Sequence, residues 1–351
     1  MKILISGYYG FDNAGDELIL DSITSEIRKN IPDTRVTVLS ANPSKTSLFF
    51  GVAAISRWSP FAIIKALLRT DLLISGGGGL FQDKTSSLSL YYYICIILLA
   101  KLFGKKVFIY AVGINEMKFV NNDILCGVLR TADAITLRNK ESVDCICGNL
   151  RKMKRMELTN DAVFCNTVTP RKLSSKNPNI AIVLRPNLGK HQSIELFAKL
   201  ADSVGQRLSA KLIFIPFHKE TDYPFSLKVI NHMRTSANIV LWNNPRELYE
   251  IFSGIDMIIS QRLHALILGV LFGIPLIGMF NDSKLTRFLN EIGQKNLTSF
   301  SEENIYSVLA NINDLWEWRE DFQKNALSIL PSFRQRALRN TELLKEIIRA
   351  A

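Results

Sequence analysis

Lys2-Ile-Leu-Ile-Ser6 runs into Gly7-Tyr-Tyr-Gly-Phe-Asp-Asn13-Ala-Gly15-Asp16-Glu17, and then into an apolar-periodic stretch from Leu18 to Ile27. A strand that feeds a glycine loop and opens a helix sets backbone N–H groups and a positive helix end at one edge of a sheet, a site suited to phosphate or carboxylate. A tight turn whose glycines only supply positive φ is the plainer alternative. The spacing G-x-x-G-x-x-x-x-G lacks the Lys-Ser/Thr pair of a Walker loop and differs from the dinucleotide fingerprint, which argues against ATP hydrolysis and NAD binding.

Outward from this unit, apolar runs of strand length alternate with longer amphipathic segments. Arg35–Leu39, Asp71–Ser75, Lys106–Val112 and Ala134–Leu137 follow in the first half, and Asn179–Leu184, Lys211–Pro216, Ile239–Leu241, Met257–Ser260 and Pro275–Phe280 in the second. Strands too apolar to face water on either side predict parallel sheets sandwiched by helices. A polar segment bracketed by Pro170 and Pro178 reads as a linker, so the expected division is residues 1–172 and 173–351. The fold class predicted is α/β, GT-B-like, with two doubly wound Rossmann-like domains facing a cleft. Glu302 to Arg349 reads as helices interrupted at Pro331.

The chain has 351 residues and 47% apolar content, enough for two cores. Its 43 Lys and Arg against 32 Asp and Glu give a formal charge of +11, with denser basic groups at Arg151–Arg155 and Arg334–Arg349. That balance suits anionic substrates or an anionic membrane surface. No recognition helix, zinc finger or aromatic RNA-binding pattern is present, so nucleic acid is not an expected partner. Five cysteines without a C-x-x-C pair predict reduced thiols in a cytoplasmic protein and no structural zinc. A strand beginning at residue 2 leaves no room for an export leader. Leu88 to Ala100 is strongly apolar but too short to span a bilayer, and reads as a buried helix or a membrane-surface patch.

Unusual polar residues concentrate in the loops after these strands, which a parallel sheet gathers on one side. Gly76 to Gly79, with Gly77 and Gly78 at its centre, is either an anion nest or a flexible turn. Arg138 follows an apolar strand, where it could hold a carboxylate or phosphate bidentately or pair with Glu141. His264 falls at a strand-to-helix corner two residues after Arg262; nearby cations favour the neutral imidazole and make it a candidate general base. Lys284, in the loop after Pro275–Phe280, adds a third positive charge. Asp16, with Asn13 in the same loop, and Asp83 are alternative bases or helix caps.

ISGYYGFDNAGDE at the start, SGGGGLFQD with SLYYY behind it, TLRNKES, and SQRLHA followed by PLIGMFNDSK together resemble the polysaccharide pyruvyl transferase family, most closely its CsaB-type bacterial members. The resemblance runs from residue 3 to about residue 293. It implies transfer of a pyruvyl group from phosphoenolpyruvate to a sugar as a cyclic ketal, with no cofactor, nucleotide or metal. It also implies that His264 is the catalytic histidine and that Arg138, Arg262 and Lys284 bind the donor. Asn13, Asp16, Gly77, Gly78 and Asp83 are carried as further substrate-binding positions. The implied acceptor is N-acetylmannosamine in a disaccharide on undecaprenyl diphosphate, a precursor of the secondary cell wall polymers that retain surface-layer proteins. Such an acceptor predicts peripheral association with the inner face of an anionic membrane. Two departures from the family pattern, Asn115-Glu116 where G-I-G-P is common and Asn187 where an aromatic often stands, bear on the acceptor more than on the reaction. A GT-B nucleotide-sugar glycosyltransferase and a non-catalytic binder of anionic glycans are the alternatives.

Overall fold

The computed structural model describes residues 1–83, 87–114, 117–146, 155–174, 176–186, 193–279, 283–294 and 302–349. They form two compact units, Met1–Asn166 with Ser332–Ala351, and Thr167–Pro331.

The first unit carries β1 (Lys2–Ser6), α1 (Ala14–Asn30), β2 (Arg35–Ser40), α2 (Pro43–Phe50), β3 (Ala53–Ser56) and α3 (Pro60–Leu68). It continues through β4 (Leu72–Gly76), α4 (Ser87–Leu102), β5 (Lys106–Val112), α5 (Phe119–Leu129), β6 (Ala134–Leu137), α6 (Lys140–Asp144) and β7 (Met156–Leu158). The strands pair in parallel in the order β3-β2-β1-β4-β5-β6-β7. β4 is buried along its whole length, as its continuous apolar sequence requires. Local signals agree with the helices. Ser59 caps α3 by accepting from Ala62 N, Pro60 sits in its first turn, and α1 begins with Asp16 and Glu17 and ends with Arg28 and Lys29, matching its dipole. One face of the sheet packs Leu4, Leu73, Val107 and Ile135 with Leu90, Tyr93 and Ile97 of α4 and Leu125 and Leu129 of α5.

The second unit carries β8 (Asn179–Val183), α7 (Ile194–Leu208), β9 (Lys211–Phe214), α8 (Lys219–His232), β10 (Ala237–Ile239) and α9 (Glu247–Ser253). β11 (Met257–Ser260), α10 (Leu263–Phe272), β12 (Leu276–Gly278), α11 (Ser283–Glu291) and α12 (Ile305–Glu317) follow, and α13 (Arg319–Arg349) closes the chain. Its strands, all parallel, are ordered β10-β9-β8-β11-β12. Ile180, Ile182, Phe214 and Ile259 pack with Phe197, Leu200 and Val204 of α7 and Ile312 of α12.

The sequence reading departs from this fold in several places. β3 and β7 were not expected: one is Ala-Ala-Ile-Ser at the sheet edge and the other has three residues, too little for an alternation signal. β10 lies two residues earlier than Ile239–Leu241. Pro331 lies inside α13 rather than interrupting it. The final helical segment, expected with the second domain, belongs from Ser332 onward to the first unit. There Arg339 is bidentate to Glu157 at 2.8 and 2.9 Å, and the Thr159 hydroxyl donates to Asn340 Oδ1 at 2.9 Å. Arg339 also contacts Glu342 and Glu346, so the basic segment at the C-terminus is partly neutralised. Cys126 is disulfide-bonded, against the expectation of reduced thiols, while Cys95 and Cys165 are free thiols.

The division at residue 166 precedes the expected 172 because linker residues are stitched into the second unit. Asp256, 1% exposed, accepts from Arg171 Nε at 3.2 Å, Ser174 N at 3.0 Å and Asn179 N at 2.9 Å. Asp256→Ala leaves these donors without an acceptor beside the start of β11. The expected loss is about 3 kcal/mol, the lower end for a broken buried pair because Arg171 keeps some solvent. A fall in the urea midpoint of the second unit's transition measures it.

Candidate active site

In an open parallel sheet, ligand crevices form where neighbouring strands send their crossovers to opposite faces. The strand orders put that point between β1 and β4 in the first unit and between β8 and β11 in the second. Most of the candidate residues lie on the loops that leave these four strands or in the first turns of the helices that follow.

At the β1 end, Asn13 is the N-cap of α1, yet its side chain does not cap; its Nδ2 donates to Asp16 Oδ2 at 2.6 Å. The loop is held by Glu17, whose Oε1 accepts from Gly10 N at 2.7 Å, and by the buried Tyr9 hydroxyl, which donates to Gly76 O. At the β4 end, Gly77 and Gly78 have φ of +82° and +76°. A Cβ on Gly77 would lie 2.1 Å from Ile19 Cγ2, and one on Gly78 would lie 2.6 Å from Asp16 Oδ1. The two loops therefore touch, and the glycines are demanded by that approach. Part of the expected anion nest is already used, because Gly77 N donates to Tyr110 O and Gly78 O accepts from Gly113 N, both at 2.9 Å. The β4–β5 ladder is simply extended past the strands.

The charge balance around this loop was not legible in the motif. Asp12 pairs with Lys45. Burial and the neighbouring Asp16 push the Glu17 carboxyl up to about 8, so that it is largely protonated at neutral pH. Arg57, directly after β3, is 5% exposed and has no carboxylate partner among the described residues. Its Nη1 donates to Gly7 O at 3.1 Å, its Nε has no partner, and its guanidinium lies 4.5 to 5.6 Å from the ring centres of Tyr92, Phe11, Trp58 and Tyr93. Aromatic faces offset some of the cost of burying this cation. Its uncompensated charge gives the glycine loop a positive potential. The sequence reading missed Arg57; the signal was an arginine at a strand end followed by a tryptophan, unreadable without β3.

Arg138 is 7% exposed and donates from Nη1 to Asp161 Oδ2 at 3.1 Å, both side chains being buried. The partner is Asp161 rather than Glu141, the alternative that the sequence offered. Its Nε is buried and has no partner, and a Cβ on Gly113 would lie 2.8 Å from that atom. Asp83 accepts from Lys118 N at 2.9 Å and Asn121 Nδ2 at 2.7 Å, which ties it to the start of α5. These bonds hold its carboxyl below the usual range, which favours the ionised form.

In the second unit, Gln261 ties the β8 and β11 loops together: its N donates to Val183 O at 2.8 Å and its Oε1 accepts from Arg185 N at 2.7 Å. Arg262 is the N-cap of α10 and His264 is half-buried in its first turn, where the helix dipole is positive. Arg262 is not the bare cation that the sequence suggested. Its Nε and Nη2 grip both oxygens of Asp222, at 2.9 and 2.5 Å, and Asp222 is fully buried. Asp222 also accepts from His218 N at 2.9 Å. Lys284 is half-buried and stands in the first turn of α11 rather than in a loop. Residues 115–116, Asn187 and Asp282 lie outside the described residues.

Two parallel α/β units of this order, with polar side chains gathered on the loops at the carboxyl ends of their strands, define an α/β protein of the GT-B fold. The family model for polysaccharide pyruvyl transferase matches residues 13–283. The chain belongs to the polysaccharide pyruvyl transferase family, which makes it a transferase of pyruvyl groups to polysaccharide. No curated protein matches it. Among solved structures, UDP-GlcNAc 2-epimerase from Neisseria meningitidis bound to UDP-GlcNAc is similar, with a TM-score of 0.69, 10% identity and 100% of both chains covered. A putative UDP-N-acetylglucosamine 2-epimerase from Listeria monocytogenes gives 0.69 at 9% identity, covering 98% of this chain and 94% of that one. MurG from Acinetobacter baumannii gives 0.56 at 13% identity, covering 98% and 99%. Likeness at such identities establishes the fold alone.

The raised Glu17 carboxyl has a measurable consequence. A carboxyl that binds its proton more tightly when folded adds stability that is fully present below the unfolded value of 4.5 and is lost as pH rises through about 8. Wild-type stability should therefore decline across that window, and Glu17→Gln, which keeps an acceptor for Gly10 N, should flatten the decline. Denaturant titrations at a series of pH values test this.

Proposed function

We propose that the protein moves a pyruvyl group from phosphoenolpyruvate onto a sugar and closes it as a cyclic ketal, as CsaB-type members do. The acceptor in this reading is N-acetylmannosamine of a lipid-diphosphate-linked disaccharide, and the product serves a secondary cell wall polymer that anchors a surface layer. One observation carries the reading: the family match begins at Asn13, the N-cap of α1, and ends at Ser283, the first residue of α11, so it takes in the loops after β4, β8 and β11 together with Arg138 and His264.

The reaction needs a proton delivered to the enol methylene, attack by one sugar hydroxyl on the resulting cationic carbon, departure of phosphate, and closure by a second hydroxyl. His264 takes the hydroxyl proton or relays it to the donor. Arg138, through its spare Nε, and Lys284 stabilise the carboxylate and the departing phosphate. Arg262, held bidentately by Asp222, fixes the start of α10 and so the position of His264. Arg57 contributes positive potential at the glycine loop, with Asp16 beside it as an alternative proton carrier. The chemistry drawn here uses no nucleotide, metal or resident cofactor.

A nucleotide-sugar glycosyltransferase shares the fold and is the second reading. The solved neighbours are compatible with it, but none exceeds 13% identity among the three compared.

Incubation with phosphoenolpyruvate and a lipid-linked N-acetylmannosaminyl acceptor should release phosphate only when both are present. Nucleotide release from a sugar nucleotide instead would favour the glycosyltransferase, and neither release would leave an anionic-glycan binder. His264→Ala should lower turnover by about 10²–10⁴-fold with folding intact, and wild-type turnover in that variant would remove His264 from the mechanism. Arg57→Gln should raise KM for phosphoenolpyruvate by about tenfold or more while changing kcat less, the pattern of a lost charge-assisted interaction.

A further inference from the structure

Among the described residues, the exposed large hydrophobic side chains cluster on the first unit, and α3 and α4 together carry more of them than any other pair of elements. Phe61, Ile64 and Leu68 recur at helical spacing along the outer side of α3, exposed by 79%, 38% and 55%. On α4, Leu88, Tyr91, Leu98 and Leu102 continue the pattern, with the free and exposed Cys95 between them. The stripe on α4 is about 21 Å long at 1.5 Å per residue. The opposite side of the same helix packs Leu90, Tyr93, Ile94, Ile97 and Ala100 into the core, so α4 is apolar all round while only half of it is buried. The two helices touch each other. A contiguous apolar face of this kind on a monomer marks an interaction surface.

Charge identifies what covers it. Neither helix contains an Asp or Glu. Lys65 and Arg69 project from α3 beside the stripe, and neither side chain has a partner among the described residues. Both also line a cavity of about 820 Å³ at the amino ends of β1 to β3, shared with Lys2, Arg28 and Arg35 and with a single acid, Asp33. Other cations near the face are partly committed: Lys101 pairs with Asp133 at 3.0 Å and Lys105 donates to Leu68 O at 3.1 Å. α5, next to α4, adds exposed Val120 and Ile124 but also Asp123, so α3 and α4 define the face. No helix among the described residues is long and apolar enough to cross a membrane.

We propose that the α3–α4 face seats on an anionic lipid surface, with the two apolar stripes entering the headgroup–acyl boundary and anionic headgroups entering the cationic cavity beside α3. Apolar insertion and basic attraction are the two terms that hold an interfacial helix. This goes beyond the transfer reaction, and vesicles without donor or acceptor test it, so its failure and the failure of pyruvyl transfer are separate results.

The full chain is pelleted with vesicles of phosphatidylglycerol and phosphatidylcholine, and with phosphatidylcholine alone, across a salt series. Binding to the anionic vesicles is expected, falling as salt rises. Phe61→Ser with Leu98→Ser and Leu102→Ser should weaken it by at least about tenfold, as should Lys65→Glu with Arg69→Glu. All five positions are at the surface, and circular dichroism checks that the variants fold. Wild-type protein that ignores anionic vesicles, or variants that bind as well as wild type, would overturn the proposal. So would self-association in sedimentation velocity that the apolar variant abolishes while vesicles stay unbound.

Discussion

Each half of this protein depends on the reversal of strand order in a parallel sheet. Backbone pairing forces crossover helices onto alternate faces on either side of β1 and β8, and the loops leaving the central strands are pushed apart. Some backbone groups there have no ladder to join, among them Gly10 N and Arg185 N. In the first unit they are met by Glu17 and the Tyr9 hydroxyl, and in the second by Gln261. The two loop systems are thus built alike, although their sequences share no repeat.

Charge at these edges is handled by burial and pairing rather than by open attraction. Arg138 and Arg262 look like substrate-binding cations in a sequence, and both turn out to be braced by buried aspartates, Asp161 and Asp222. Pairing removes much of the desolvation penalty and fixes the guanidinium, at the expense of the net charge seen by a ligand. Arg57 shows the opposite arrangement, with aromatic rings in place of a carboxylate. Glu17 avoids the problem by keeping its proton. Geometry at these loops is therefore set by pairs, while Arg57 has no carboxylate partner among the described residues.

Much of the architecture was readable in the chain. β1, β5, β6 and β11 fall where their apolar runs predict, because a strand buried on both faces must be apolar throughout. The short edge strands β3 and β7 were not readable, since their pairing comes from the neighbouring strand and not from their own composition. Losing β3 also hid Arg57, whose position at a strand end has meaning only once that strand exists. Pro331 misled for a related reason: proline disfavours the preceding turn, yet flanking core residues such as Leu330, Phe333 and Ala337 hold α13 through it.

The sequence by itself determined the α/β class, the two-unit plan and the family, because hydrophobic periodicity and loop motifs are local properties of the chain. Tertiary structure alone decided which charges are spent and which remain: Asp161 on Arg138, Asp222 on Arg262, Asp83 on the start of α5. It also decided that the C-terminal helix returns to the first unit, and that α4 buries one apolar side and leaves the other in water. Partners separated by many residues meet only after folding, and electrostatic energy depends on their distance and burial, neither of which is written in linear order.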